Sequence, residues 1–202
     1  GGGWSDPKDL TALRVAESPI NASEGKVIEF DAKWVNYWAG GGWNWRNWKP
    51  QGDDIRAYNA LSFRLRKSAG EVPDIWIQLG DGARKSSSQV KLLGAGILTD
   101  ISDKFQDVIV PLSLLDGNYD RANVTTLNFG VFPKTQQGEC VLQFTSICFV
   151  RDNAVAAADQ MRKSPEGEAV SWDMGGAWRQ KSVTCEKVCL NGYWSFLPAD
   201  EK

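Results

Sequence analysis

The sequence predicts an all-β fold, a two-sheet antiparallel β-sandwich of the jelly-roll kind. Three observations carry that prediction. Between Leu10 and Val150, short runs rich in Val, Ile, Phe and Leu alternate with period two. Clusters of Gly, Asp, Asn, Ser and Pro separate them, with Asp81-Gly82, Asp116-Gly117-Asn118 and Gln137-Gly138 as turn signals. No long helical pattern interrupts the series.

Eight strands follow in order: Leu10 to Glu17, Lys26 to Trp34, Ala60 to Lys67, Asp74 to Leu79, Ser87 to Gly94, Phe105 to Leu112, Val124 to Phe132 and Cys140 to Val150. Jelly-roll order puts strands one, eight, three and six in one sheet and two, seven, four and five in the other. Alternation then assigns faces. In the second strand Ile28, Phe30 and Trp34 point inward, and Glu29, Asp31 and Lys33 outward. The third strand turns Ser62, Arg64 and Arg66 to an ordinary solvated face. Ile75, Ile77 and Leu79 are the buried set of the fourth, which leaves Trp76 and Gln78 on the outer surface. Val90 and Leu92 leave Gln89 and Lys91 outside in the fifth. In the seventh, Leu127, Phe129 and Val131 face in while Asn128, Gly130 and Phe132 face out. The eighth needs a bulge at Thr145-Ser146, because Ile147 and Phe149 are out of phase with Leu142 and Phe144.

Between the second and third strands lies the least ordinary stretch, Trp34 to Asp54. It holds five of the ten tryptophans, namely Trp34, Trp38, Trp43, Trp45 and Trp48, around Gly40-Gly41-Gly42. The glycine run predicts a loop that breaks any regular element. Loops lie on the surface, so these indoles either roof a neighbouring element or face a ligand. Trp34 is core by phase; of Trp38, Trp43, Trp45 and Trp48, at least two are expected to contact ligand.

Composition narrows the chemistry. The chain has 202 residues and a formal net charge of −2 with Lys and Arg scattered, so no phosphate-binding footprint for nucleic acid stands out. No apolar run approaches the roughly 20 residues that cross a bilayer, so no membrane partner is expected. There is no histidine, which removes Ser-His-Asp and Cys-His catalysis and imidazole metal ligands. Cys140 and Cys148 share one strand and stand roughly 26 Å apart, too far to pair. Cys185 and Cys189 could bridge only across a turn or a helical segment, which is left open. The cysteine spacing does not fit a zinc knuckle. Of the carboxylate pairs near the aromatics, Asp53-Asp54 reads as a turn, and Glu29 and Asp31 share a strand face with Lys33. Hydrolysis by this chain is therefore not expected.

Flat indoles suit pyranose rings, whose C–H face is apolar and whose rim is hydroxylated. Each ring offers about 150–250 Å2. The predicted ligand-binding set is Trp76, Gln78, Trp38, Trp43, Trp45, Trp48, Arg46, Asn128 and Asp31, with Trp76 the strongest single candidate. Gln78, Asn128, Asp31 and Arg46 would supply the directional bonds.

The phrases WAGGGW, DDIRAYNALSFRLR, PDIWIQLGDG, FQDVIVPLSLL, LNFGVF and the closing ICFV strand together resemble β-jelly-roll carbohydrate-binding modules of the galactose-binding-like fold, which are attached to bacterial polysaccharide-degrading enzymes. The resemblance covers roughly residues 10 to 151. It implies a non-catalytic, secreted, cell-surface or periplasmic module without a cofactor. The implied partners are a polysaccharide or oligosaccharide, of neutral plant or algal type, and the catalytic domain of the same polypeptide. Such modules often carry acidic residues before the final strand segment, beside a structural calcium. Thr145-Ser146 stands here instead, so no metal is implied. The alternative is an interaction sandwich docking another domain or subunit through the same aromatic patch.

The expected organisation is a β-sandwich module over 1–151, a linker with a short helix over 152–171, and an extension or start of a further domain over 172–202. Asn153 to Lys163 reads as the helix, with Asp152 or Asn153 as N-cap. The phrase Leu190 to Phe196 resembles the opening of the sugar-binding β-sandwich that begins family-two-type glycoside hydrolases.

Overall fold

The computed structural model describes residues 2–5, 11–17, 26–72, 74–133, 135–162, 178–181 and 186–189. Cys185 and the phrase 190–196 lie outside the described residues. The chain divides into two compact units, Gly1–Gln160 and Met161–Lys202.

The first unit is a β-sandwich of two five-stranded antiparallel sheets. One has the order β1-β4-β9-β6-β7, formed by Gly2–Ser5, Ala39–Asn44, Val124–Phe132, Asp74–Asp81 and Val90–Lys91. The other has the order β2-β3-β10-β5-β8, formed by Ala12–Glu17, Lys26–Trp34, Gly138–Val150, Ala60–Gly70 and Gln106–Pro111. The inward sets follow the alternation: Ile75, Ile77, Leu79, Phe129 and Val131 are fully buried from the first sheet, as are Phe30, Phe63, Leu65, Leu142 and Phe144 from the second. Phe129 packs edge-on to Phe30 at 5.1 Å and tilted on Phe144 at 4.7 Å, which joins the two layers at their centre. Trp34 is buried, as its phase requires, and its Nε1 donates to the Thr135 carbonyl at 3.2 Å.

Three assignments are corrected. The Gly40-Gly41-Gly42 run is strand β4, paired with β9 through Gly40↔Gly130, Gly41↔Phe129 and Gly42↔Asn128. A side chain at Gly41 would meet the rings of Phe30 and Phe129 at 3.2 and 3.3 Å, so glycine here makes room for the central aromatic pair. Because β4 takes the place beside β9, the second predicted strand, β3, lies in the opposite sheet between β2 and β10. Asp31 goes with it, onto the face away from Trp76. The fifth predicted strand shrinks to Val90–Lys91. The Asp74 carboxylate accepts the backbone N–H groups of Leu93 and Gly94 at 2.9 and 3.0 Å and draws the chain into a turn.

The β10 irregularity falls between Thr145 and Cys148, with Ser146 at φ 54°. Helix α1 spans Asn153–Arg162. Asp152 caps it, Oδ1 accepting from the Val155 N–H at 2.9 Å. Asn59 holds the cap to the sandwich, donating to the Asp152 carbonyl and accepting its N–H, both at 2.8 Å. In the second unit, Trp178–Lys181 (β11) pairs antiparallel with Glu186–Cys189 (β12).

Candidate functional site

The site forms on the outer face of the β1-β4-β9-β6-β7 sheet. Three cross-strand rows build it. Lys91, Trp76, Gly130 and Gly40 stand side by side in the first; Gln78, Asn128 and Gly42 in the second; Gly80, Thr126 and Asn44 in the third. From Trp76 to Gly80 this face runs four residue steps, about 13 Å.

Trp76 points outward as alternation requires, yet it is only 6% exposed. The expectation of an open indole at this position is corrected. Gly130 and Gly40 have no side chains to prop the ring up, so it lies down across them: a Cβ at Gly130 would sit 2.5 Å from the ring, and one at Gly40 3.3 Å. Trp38 leans toward the same spot, 3.6 Å from that Gly40 position, and is 40% exposed itself. At the edge, the Lys91 ammonium lies 4.0 Å from the centroid of Phe132.

At the other end of the rows lies a groove of about 480 Å3, lined by Asn44, Trp48, Lys49, Arg84, Lys85, Thr126 and Asn128 among others. Two loops wall it, and each is fixed by one acceptor side chain. On the first, Asn44 Oδ1 accepts the N–H groups of Arg46 and Trp48 at 3.0 and 2.8 Å. That turn holds Asn47 at φ 50° and Trp48 at φ 62°, a left-handed conformation costing a non-glycine residue about 1 kcal/mol or more. The Trp48 indole emerges 63% exposed. On the second loop, Asp81 Oδ1 accepts from the N–H groups of Ala83 and Lys85, each at 2.9 Å. Asn123 ties the walls together: its amide donates to the Pro50 carbonyl at 3.0 Å, its side-chain oxygen accepts the Gly52 N–H, and its backbone carbonyl accepts the Gly82 N–H at 3.0 Å.

Of the amides here, Gln78 donates to the Ser87 carbonyl at 2.7 Å, and Asn44 to the Thr126 hydroxyl at 2.8 Å. The Asn128 side chain has no hydrogen-bond partner among the described residues.

The remaining predicted residues lie elsewhere. Trp43 and Trp45 are half-buried and line a separate cavity of about 680 Å3 at the end of the sandwich, with Tyr58, Ile147 and Phe149. Trp45 Nε1 donates to Asp53 Oδ2 at 2.7 Å, and Arg46 closes on the same carboxylate as an ion pair. Arg46 is thereby tied to the loop's own base. Asp54 pairs with Arg56 at 2.7 Å, and that hydrogen-bonded arginine lowers its carboxyl from 3.8 to about 2. Both acids of the Asp53-Asp54 pair are thus held by arginines. Asp31 is half-buried on the outer face of the other sheet.

Sequence reasoning missed Asn44, Thr126, Lys49, Arg84 and Lys85. Asn44 would have followed by alternation from Gly40 and Gly42 had that run been recognised as a strand. The cations sit in turns whose meeting across the groove no local pattern announces.

The two five-stranded antiparallel sheets define a β-jelly-roll sandwich. Among solved structures it is similar to a family 30 carbohydrate-binding module, at 16% identity and TM-score 0.58, covering 87% of this chain and 89% of that one. A second is the family 30 module of the cellulosomal cellulase Cel9D-Cel44B of Clostridium thermocellum, at 17% identity and TM-score 0.54, covering 70% of this chain and 83% of that one. At such identities the likeness is one of fold. No family model and no curated protein matches the sequence.

Proposed function

We propose that this chain is a non-catalytic carbohydrate-binding module that holds polysaccharide on the outer face of the β1-β4-β9-β6-β7 sheet and keeps a parent glycoside hydrolase at its substrate. Trp48 carries the reading: an indole 63% exposed, on left-handed backbone pinned by Asn44, at the edge of a groove lined with amides. Its flat face desolvates the apolar side of a pyranose ring. Asn128 supplies directional bonds to the hydroxyl rim, with the remaining amide capacity of Gln78 and Asn44 beside it. Trp38 is a second platform, and Trp76 serves as the floor between them. The carbohydrate-binding modules that share the fold support the reading, as does the engagement of Asp53 and Asp54 by arginines. Tethering by such a module raises the local concentration of an attached enzyme. A polymeric substrate places it outside the cytoplasm, secreted or at the cell surface.

Affinity electrophoresis and calorimetry on β-glucans, mannans, xylans and galactans test this. Single-site binding of about −4 to −8 kcal/mol, millimolar to micromolar, is expected, and Trp48→Ala should weaken it at least about tenfold. A chain that answers no glycan but dimerises with concentration would instead favour docking through the exposed run of Val35, Tyr37 and Trp38.

A further inference from the structure

We infer that the groove beside Trp48 is built for an acidic glycan, a polysaccharide whose sugars carry carboxylate or sulfate. The inference rests on the glycan-binding reading above and adds the charge of the ligand. Lys49, Arg84 and Lys85 line the groove together with Trp48, and the one acid among the lining residues is Asp81. Asp81 is 4% exposed and occupied by backbone: Oδ1 accepts from Ala83 and Lys85, and Oδ2 accepts from the Asp120 N–H at 2.9 Å. Its role is to hold the turn. Counting three cations against that one acid leaves the lining at +2, in a chain whose formal net charge is −2.

The contrast with four other arginines gives the count its meaning. Arg14, Arg46, Arg56 and Arg121 are paired with Glu29, Asp53, Asp54 and Asp116. The side chains of Lys49, Arg84 and Lys85 have neither an ion pair nor a hydrogen bond among the described residues. One unpaired surface lysine is ordinary. Three cations in one groove make a field that draws an anion in and selects among ligands by charge. They come from both walls, Lys49 directly after Trp48 and Arg84-Lys85 from the facing turn. A chain stacked on the indole therefore has its ring substituents between them.

The backbone that presents them is fixed as well. Arg84 sits at φ 65°, its N–H donating to the Asp81 carbonyl at 3.1 Å, while the Asp81 N–H donates to the Lys85 carbonyl at 2.9 Å. A guanidinium fork on such a turn matches the paired oxygens of a carboxylate or a sulfate. The lysines act as point charges beside it.

The experiment is affinity electrophoresis backed by calorimetry, with polygalacturonate and alginate as carboxylate polymers, carrageenan as the sulfated one, and β-glucan and galactomannan as neutral ones. Polyglutamate carries charge without a pyranose face. At least one acidic polysaccharide should be bound more tightly than the neutral polymers, and whether it is a uronate or the sulfated galactan identifies the group. That affinity should fall by at least about tenfold as salt rises from about 0.05 to about 0.5 M, since the cations are solvent-exposed. Arg84→Gln with Lys85→Gln should lose at least about tenfold on the acidic polymer with the melting temperature unchanged; Trp48→Ala should lose it too. If a neutral polymer binds best and the double variant binds it as well as the parent chain does, the charge inference fails and the glycan reading stands. If polyglutamate binds as tightly as any uronate, the groove is bare charge and the inference fails. If no polysaccharide binds, both fall.

Discussion

The two outer faces of the sandwich start from similar polar residues and are finished differently. On the β2-β3-β10-β5-β8 sheet, Arg14, Glu29, Gln143 and Arg66 stand in one cross-strand row and close on each other. Arg14 Nε donates to Glu29 Oε1 at 2.8 Å, Gln143 donates to Glu29 Oε2 at 2.6 Å, and Arg66 Nε donates to Gln143 Oε1 at 2.8 Å. The Arg66 guanidinium then lies 5.2 Å from the Phe105 ring centroid. Glu29 ends up 8% exposed on a face that alternation alone would leave open to solvent. On the opposite sheet the corresponding rows run through Gly40, Gly42, Gly80 and Gly130, so Asn128 meets no side-chain partner among the described residues and a groove remains beside Trp48. What keeps a polar sheet face open is what its neighbours leave unsatisfied.

The largest effect is expected where the open face depends on an absent side chain. Gly130→Ala puts a methyl group 2.5 Å from the Trp76 ring and 2.6 Å from the Ala39 carbonyl oxygen, and the backbone atom cannot yield. A cost of about 3 kcal/mol is expected, read as a lower denaturation midpoint, together with a gain in Trp76 exposure seen by fluorescence quenching. An unchanged midpoint would mean that the ring does not lie across the glycine.

On the closed face, Glu29→Ala leaves the Gln143 amide and the Arg14 guanidinium without their acceptor. About 2 kcal/mol of stability should go, with glycan binding untouched. Loss of glycan binding without loss of stability would reverse the roles assigned to the two faces. Trp48→Gly should do the opposite of Glu29→Ala. It relieves a left-handed tryptophan at φ 62° and so should raise stability by up to about 1 kcal/mol while weakening glycan binding. Paired melting and calorimetry on these two variants separate a face that holds the fold from a face that serves a ligand.

Both the legible part and the illegible part of this molecule have physical reasons. Strand alternation assigned Ile75, Ile77, Leu79, Phe129 and Val131 to the core and a bulge to the Thr145-Ser146 neighbourhood, because a buried face imposes period two on its own strand. Alternation names a face but not its cover: Trp76 does point outward, and glycines on two other strands let it lie flat. The Gly40-Gly41-Gly42 run looked like a loop because local propensity counts glycine as a breaker, whereas pairing with β9 and the ring of Phe30 decide its conformation. Its place beside β9 is also what puts β3, and Asp31 with it, in the opposite sheet. Lys49 and Arg84 are separated in sequence by two strand entries and a turn, so their shared groove exists only once the fold does.

The smallest effect concerns charge at the loop base and sharpens the comparison from the solvent side. Asp54 accepts from Arg56 Nε at 3.0 Å and from Nη2 at 2.7 Å, which holds its carboxyl at about 2 instead of 3.8. A carboxyl depressed on folding contributes stability that is complete above about 3.8 and is lost as pH falls from there through about 2. Because the pair is exposed and screened, the effect on the midpoint should be slight. The carboxyl carbon shift of Asp54 should nonetheless titrate near 2, and Arg56→Gln should move it back toward 3.8. Titration near 3.8 in the parent chain would show that arginine and carboxylate do not meet in solution. The pairing of Asp54, which sets the loop-base acids apart from the open cations of the groove, would then be lost.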